Sequence, residues 1–153
     1  MSVVSARLEA WRVADRRWEM TPPSAPGYRA ACIEVLRCWL AYHAAADVGE
    51  PGEFALVTDE ERTYVAVSES VEATLGYAPA SIIGLRIEDL AAPTVSGATA
   101  ERWTEFVLAG RQDGTFELIA KDGSTLAVRY QARAHFPIAG FHLSRLWPAR
   151  DNG

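Results

Sequence analysis

With 153 residues, 49% of them hydrophobic and five each of Trp, Tyr and Phe, the chain can bury a core and is not a disordered tract. A net charge of −5 and a pI near 5.2 argue against a nucleic-acid binder, which would present a basic face. No apolar run reaches the ~18–20 residues that span a bilayer. The opening MSVVSARLEAWR lacks the charged start, apolar core and cleavage site of a secretory signal, so the expected compartment is the cytoplasm.

Residues 2–19 read as a helix. Val4, Leu8, Trp11 and Trp18 form one stripe, interrupted by Asp15. TPPSAPG (Thr21 to Gly27) breaks it, because its prolines remove amide donors and restrict φ. A second helix is expected over 28–46, with Ile33, Leu36, Leu40 and His43 on a broad apolar face beside Cys32 and Trp39. The two cysteines, Cys32 and Cys38, lie off the spacing of helix neighbours and read as small packing residues; no CxxC or His/Cys cluster suggests a metal. DVGEPGE (Asp47 to Glu53) reads as a linker. The expected organisation is a helical extension over 1–52, a second domain over 53–149 and a short tail over 150–153.

After Glu53 the texture becomes β-rich. FALVT and TYVAV flank the polar DEER (Asp59 to Arg62), a hairpin pattern without an Asn-Gly or Asp-Gly turn. Ser68 is the expected N-cap of the next helix, and Gly76 its left-handed stop. Pro79 opens a short helix that Gly84 closes, IEDL (Ile87 to Leu90) is at most one further turn, and APTVSGA reads as loop. Thr99 to Gly110 is a firmer helix: Trp103, Phe106 and Val107 fall on one face, with Gly110 as its stop.

The rest is β. Asp122-Gly123 supplies a tight turn. Beyond it Leu126, Val128, Tyr130, Ala132 and Ala134 alternate with Ala127, Arg129, Gln131 and Arg133. Phe116, Leu118 and Ala120 match the apolar face on the preceding strand. PIAG turns the chain into a last strand over Phe141 to Trp147. The fold class is therefore α+β, with two strands, short helices, one longer helix and three antiparallel strands after two N-terminal helices.

This order resembles a PAS domain over Phe54 to Trp147. The resemblance rests on VTDEERTYVAVSESVEATLGY, on LGYAPASIIGLRIEDL, on the helix ending FVLAG and on KDGS at the hairpin. It implies a five-stranded antiparallel sheet with helices across one face, and a sensory or interaction role in signal transduction without catalysis. It also implies that the broken helices of Ser70 to Leu90 wall a cavity against the sheet.

The residues narrow the cofactors that PAS relatives carry. Photochemical flavin domains need a cysteine in an NCRFLQ-like segment, where this chain has IEDLAAPT. The coumaric-acid chromophore needs a cysteine where Thr94 falls. Haem-binding relatives commonly use a histidine on the long helix, which here has none; His43, His135 and His142 lie elsewhere, so haem is not expected. What remains is an apolar pocket or a filled core, with Trp103, Phe106, Phe116, Leu118, Tyr130 and His142 as candidate walls and Tyr130 as the candidate polar group.

A small isomerase or dehydratase of the NTF2 type is the enzyme alternative. It would place His or Asp inside a sheet-lined cavity, and the inward series from Leu126 to Ala134 has neither. A ligandless protein–protein interaction domain is the other reading. Leu8, Trp11, Trp18, Ile33, Leu36 and Leu40 are the expected homodimer surface, with packing onto the same chain as the competing use of these helices.

Overall fold

The computed structural model describes residues 2–46 and 49–149; the expected tail over 150–153 and part of the expected linker lie outside the described residues. The chain divides into two compact units, Met1–Val48 and Gly49–Gly153, and the division falls inside DVGEPGE.

The first unit is a pair of antiparallel helices, α1 (Val3–Glu19) and α2 (Tyr28–Ala46). Ser2 caps α1 by accepting from the Ser5 amide at 3.1 Å. Contacts between the helices run in opposite senses along the chain. Arg7 donates to the Ala41 carbonyl at 3.0 Å, Trp11 stacks on Tyr42 at 5.4 Å, and Arg17 pairs with Glu34 at 2.8 Å. Ala14, Cys32, Leu36 and Leu40 are buried, and both cysteines are free thiols. Among the described residues no helix is long and apolar enough to cross a membrane.

The second unit begins with β1 (Phe54–Asp59) and β2 (Tyr64–Val67). Short helices follow: α3 (Val71–Leu75), α4 (Pro79–Ile82), α5 (Ile87–Leu90) and α6 (Pro93–Ser96). Then come α7 (Thr99–Ala109), β3 (Arg111–Ile119), β4 (Thr125–Arg133) and β5 (Phe141–Pro148). The strands form one antiparallel sheet in the order β2-β1-β5-β4-β3.

Local chemistry sets the turns. Asp59 replaces the missing Asn-Gly signal: its carboxylate accepts the amides of Glu61 at 2.9 Å and Thr63 at 3.0 Å, folding DEER back on itself. Gly76 ends α3 at φ 85° and Gly110 ends α7 at φ 81°, in the left-handed region where a Cβ is penalised. Two expectations need correction. APTVSGA contains α6, because Pro93 at a first helical position preorganises a turn that its neighbours tolerate. Ser68 is not the cap of α3, which starts after Ser70. Its hydroxyl instead accepts the Ala55 amide at 2.9 Å and ties β2 to β1.

The helices pack on the sheet through one apolar cluster: Phe54, Leu56, Tyr64, Leu118, Val128 and Leu146 from the strands, with Val71, Leu75, Ile82 and Leu90 from α3, α4 and α5. Tyr77 donates to the Ile119 carbonyl at 2.9 Å, and the Ala92 amide donates to Glu117, so the broken helices are tied to β3.

Candidate functional site

The register of the strands decides where the sheet is thin. One row across the inner face reads Leu56, Ser144, Ala132, Gln112, and the next reads Leu146, Tyr130, Gly114. Its centre therefore carries small side chains. Gly114 is small for a further reason: a Cβ there would lie 3.2 Å from the Tyr130 hydroxyl oxygen, so its absence lets the ring lie close over β3.

Above these rows lies a cavity of about 90 Å³, roofed by Thr99, Arg102, Trp103 and Phe106 of α7 and by Ile87 of α5. An enclosed water occupies roughly 10–15 Å³ on such a measure, so the space suits one small organic molecule or several waters. The broken helices contribute only Ile87 to its lining. Val71, Leu75 and Ile82 are spent on solid core, which corrects the expectation that the short helices form the wall.

The polar groups lie on opposite sides. Toward β3 and β4, Tyr130 donates to Gln112 Oε1 at 2.7 Å and accepts from Arg102 Nη2 at 3.3 Å. That nitrogen also donates to the Thr115 carbonyl at 3.1 Å, and the guanidinium lies over the rings of Phe116 and Tyr130. Burial pushes the Tyr130 hydroxyl above its ordinary value, with Arg102 pulling the other way. Toward β1, β2 and β5 lie the hydroxyls of Thr58, Tyr64 and Ser144. None has a hydrogen-bond partner among the described residues, although Thr58 is only 6% exposed and Tyr64 4%. Burial raises the Tyr64 hydroxyl strongly, with Glu88 and Asp89 adding to it, so it stays a neutral donor.

Of the side chains singled out from the sequence, Trp103, Phe106, Phe116, Leu118 and Tyr130 line this cavity. His142 is outside the lining. It packs edge-on behind Trp103 at 5.0 Å and Phe106 at 5.8 Å. Thr58, Tyr64, Arg102, Gln112 and Ser144 were not anticipated. Gln112 and Ser144 could have been found as polar residues on inward positions of otherwise apolar strands; Arg102 could not, since a charge on a helix normally reads as solvated.

His142 belongs to a second cluster with Glu60 and His135, whose ligand atoms lie within 4.8 Å of one another. Hydrogen bonding assigns its protons. His142 Nδ1 accepts the His135 amide at 3.1 Å, so Nε2 carries the hydrogen and donates to Glu60 Oε1 at 2.6 Å. His135 Nδ1 likewise accepts the Gly140 amide at 2.9 Å. A metal on the two Nε2 atoms would move each proton to an Nδ1 that already faces an N–H, reversing the usual arrangement of a metal-bound imidazole. The cluster fits a hydrogen-bonded staple of the β4–β5 loop better than a metal centre. Burial holds the His142 imidazolium below its ordinary value, with Glu60 opposing.

Solved structures share the fold of the strands and helices, not a demonstrated site. A PAS domain from Colwellia psychrerythraea matches at a TM-score of 0.57 and 17% identity, covering 64% of this chain and 86% of that one. The PAS domain of an HTR-like protein from Haloarcula marismortui matches at 0.56 and 18%, covering 63% and 81%. The PAS-B domain of Drosophila melanogaster Cycle, solved with bound ethylene glycol, matches at 0.56 and 13%, covering 63% and 99%. The second unit has a PAS fold. No family model matches the chain, and no curated protein does. Within the PAS unit, the cavity lies between α7 and the inner face of the sheet.

Proposed function

We propose that this chain is a non-catalytic PAS-type module of cytoplasmic signal transduction that holds a small apolar or aromatic molecule in its inner cavity. One observation carries the reading: a cavity lined mainly by Leu56, Ile87, Trp103, Phe106, Phe116 and Leu146 also holds three hydroxyls with no protein partner among the described residues. An apolar space with a few convergent polar groups suits a ligand. Its size favours one small molecule over a flavin or a haem.

The test is protein-observed NMR with a library of small aromatic and branched compounds, run beside native mass spectrometry of the purified chain. Binders should shift the amides of Phe106, Tyr130 and Ser144, and Ala132→Val should abolish the shifts while leaving the fold intact. Shifts that survive Ala132→Val, or the absence of any cavity binder, would return the protein to the alternative of a ligandless interaction domain.

We further propose that the first unit mediates homodimerisation through the half-buried Leu8, Trp11, Trp18 and Ile33. Leu36 and Leu40 are buried in the single chain and so are not offered to a partner. Light scattering should report a dimer that Trp11→Ala weakens; a strict monomer at high concentration removes this part.

A further inference from the structure

His142 is 1% exposed, yet its ring joins two surface residues to the roof of the cavity. Nε2 donates to Oε1 of the exposed Glu60 at 2.6 Å. Nδ1 accepts the amide of His135, an exposed residue of the β4–β5 loop, at 3.1 Å. On its other side the ring meets Trp103 and Phe106 edge-on, and these two roof side chains also meet each other at 5.6 Å. Thr58 lies directly across from His142 in the β1–β5 register, and Ser144 follows it on the same face of β5; both line the cavity.

The bond at Nδ1 is the one a proton breaks. Nε2 already carries a hydrogen, so protonation places a second N–H at Nδ1, pointing at the His135 N–H. Two donors cannot share that contact. His135 stands at φ 52°, a left-handed conformation that disfavours a residue with a Cβ, and this bond is one of the ties that hold it there. The charged groups bearing on His142 are Glu60 of the β1–β2 turn, Asp59 of β1 and His135 of the loop, while α7 faces it with the neutral rings of Trp103 and Phe106. A charged ring therefore gains on the side of Glu60 and not on the side of the roof. The cavity lining holds no histidine or carboxylate among the described residues, and burial raises the hydroxyls of Tyr64 and Tyr130 further from neutrality. A proton-dependent change near neutral pH must reach the cavity from behind.

We propose that His142 makes the cavity pH-sensitive: the neutral ring backs Trp103 and Phe106, and the charged ring withdraws toward Glu60, loosens the roof and lowers the affinity for the occupant. This rests on the cavity reading above and adds its regulation. The coupling is reciprocal, so an occupant in turn keeps His142 neutral to lower pH.

The probe is benzyl alcohol, which carries no charge in this range, titrated against the full chain by amide shifts at pH 7.5 and 5.5, values on either side of the imidazole range. Its affinity should fall about fivefold or more at the lower pH, the lower end of ordinary coupling between two sites. Saturating benzyl alcohol should also move the titration of the His142 ring carbons to lower pH, which a ring that merely packs would not show. His142→Gln should bind equally at both pH values, and its amide spectrum without ligand shows whether it is folded. If that variant does not fold, the shift of the His142 titration in the unaltered chain decides alone. Equal affinity at both pH values, an unmoved His142 titration, or a fall that survives His142→Gln overturns the inference and leaves the cavity reading standing. If benzyl alcohol binds at neither pH, the inference falls, and the cavity reading falls with it only if the wider compound library fails as well.

Discussion

The hydroxyl of Tyr130 donates to Gln112 Oε1 at 2.7 Å, joining β4 to β3 beside the cavity. The same oxygen accepts from Arg102, so one phenol connects the helix to two strands. Tyr130→Phe keeps the ring over Gly114 and removes only this link. Two hydrogen bonds are lost, the one to Gln112 and the one from Arg102, so at about 1 kcal/mol net for each the expected cost is about 1–2 kcal/mol. Urea denaturation of the two proteins measures it, and an unchanged midpoint would show that the link contributes nothing.

Ala132 faces the cavity between Ser144 and Gln112. Ala132→Val adds two carbons to a strand position, where β-branching is favoured, and each buried methylene contributes about 0.8 kcal/mol. The variant should be about 1 kcal/mol more stable than the parent without ligand. A loss of stability would show that the space is already full, since overpacking a solid core costs roughly 1–3 kcal/mol.

His142 gives a pH dependence. Burial, the leading cause, lowers its proton affinity in the folded state below the ordinary value of 6.5. The unfolded chain therefore binds this proton more readily. The corresponding stability is present above pH 6.5 and is lost as pH falls through that value toward the lower folded one. A proton on Nδ1 would also oppose the His135 amide. The charged groups facing His142 are Glu60, Asp59 and His135, of which the two carboxylates moderate the loss. Urea midpoints should fall between pH 7.5 and 5.5, values on either side of the imidazole range, and His142→Gln should flatten the fall. Equal slopes in both proteins would remove His142 as the cause.

Trp18 Nε1 is buried without an acceptor among the described residues. An unpaired buried donor carries a desolvation penalty of about 1–3 kcal/mol. Trp18→Phe removes the donor and keeps an aromatic ring, so thermal melting should find the variant no less stable than the parent. A marked drop would mean that the lost packing outweighs the penalty.

Gly76 ends α3 at φ 85°, and a Cβ there would meet the Lys121 Cβ at 3.2 Å. Gly76→Ala should cost about 1 kcal/mol through backbone strain, read as a lower urea midpoint. A neutral result would mean that the turn accepts another conformation.

Much of the second unit is legible in local chemistry. Period-two alternation marks Leu126 to Ala132 as one face of a strand, Asp122-Gly123 marks its turn, and Gly76 and Gly110 mark helix ends. These signals depend on residues close along the chain, so the sequence by itself determined the elements, their order and the family they resemble. Short-range chemistry also misleads. Ser68 looks like a cap until Ala55 arrives from another strand, and APTVSGA looks like loop until Pro93 starts a turn beside β3. Only the tertiary structure decided the site. Strand register brings Ser144, Ala132 and Gly114, from three strands, to the middle of one face, and helix docking sets Arg102 over Tyr130 and Phe116. A cavity is what remains when separate side chains fail to fill a shared space. No single stretch of sequence encodes that remainder, because it depends on the register and docking of all of them at once.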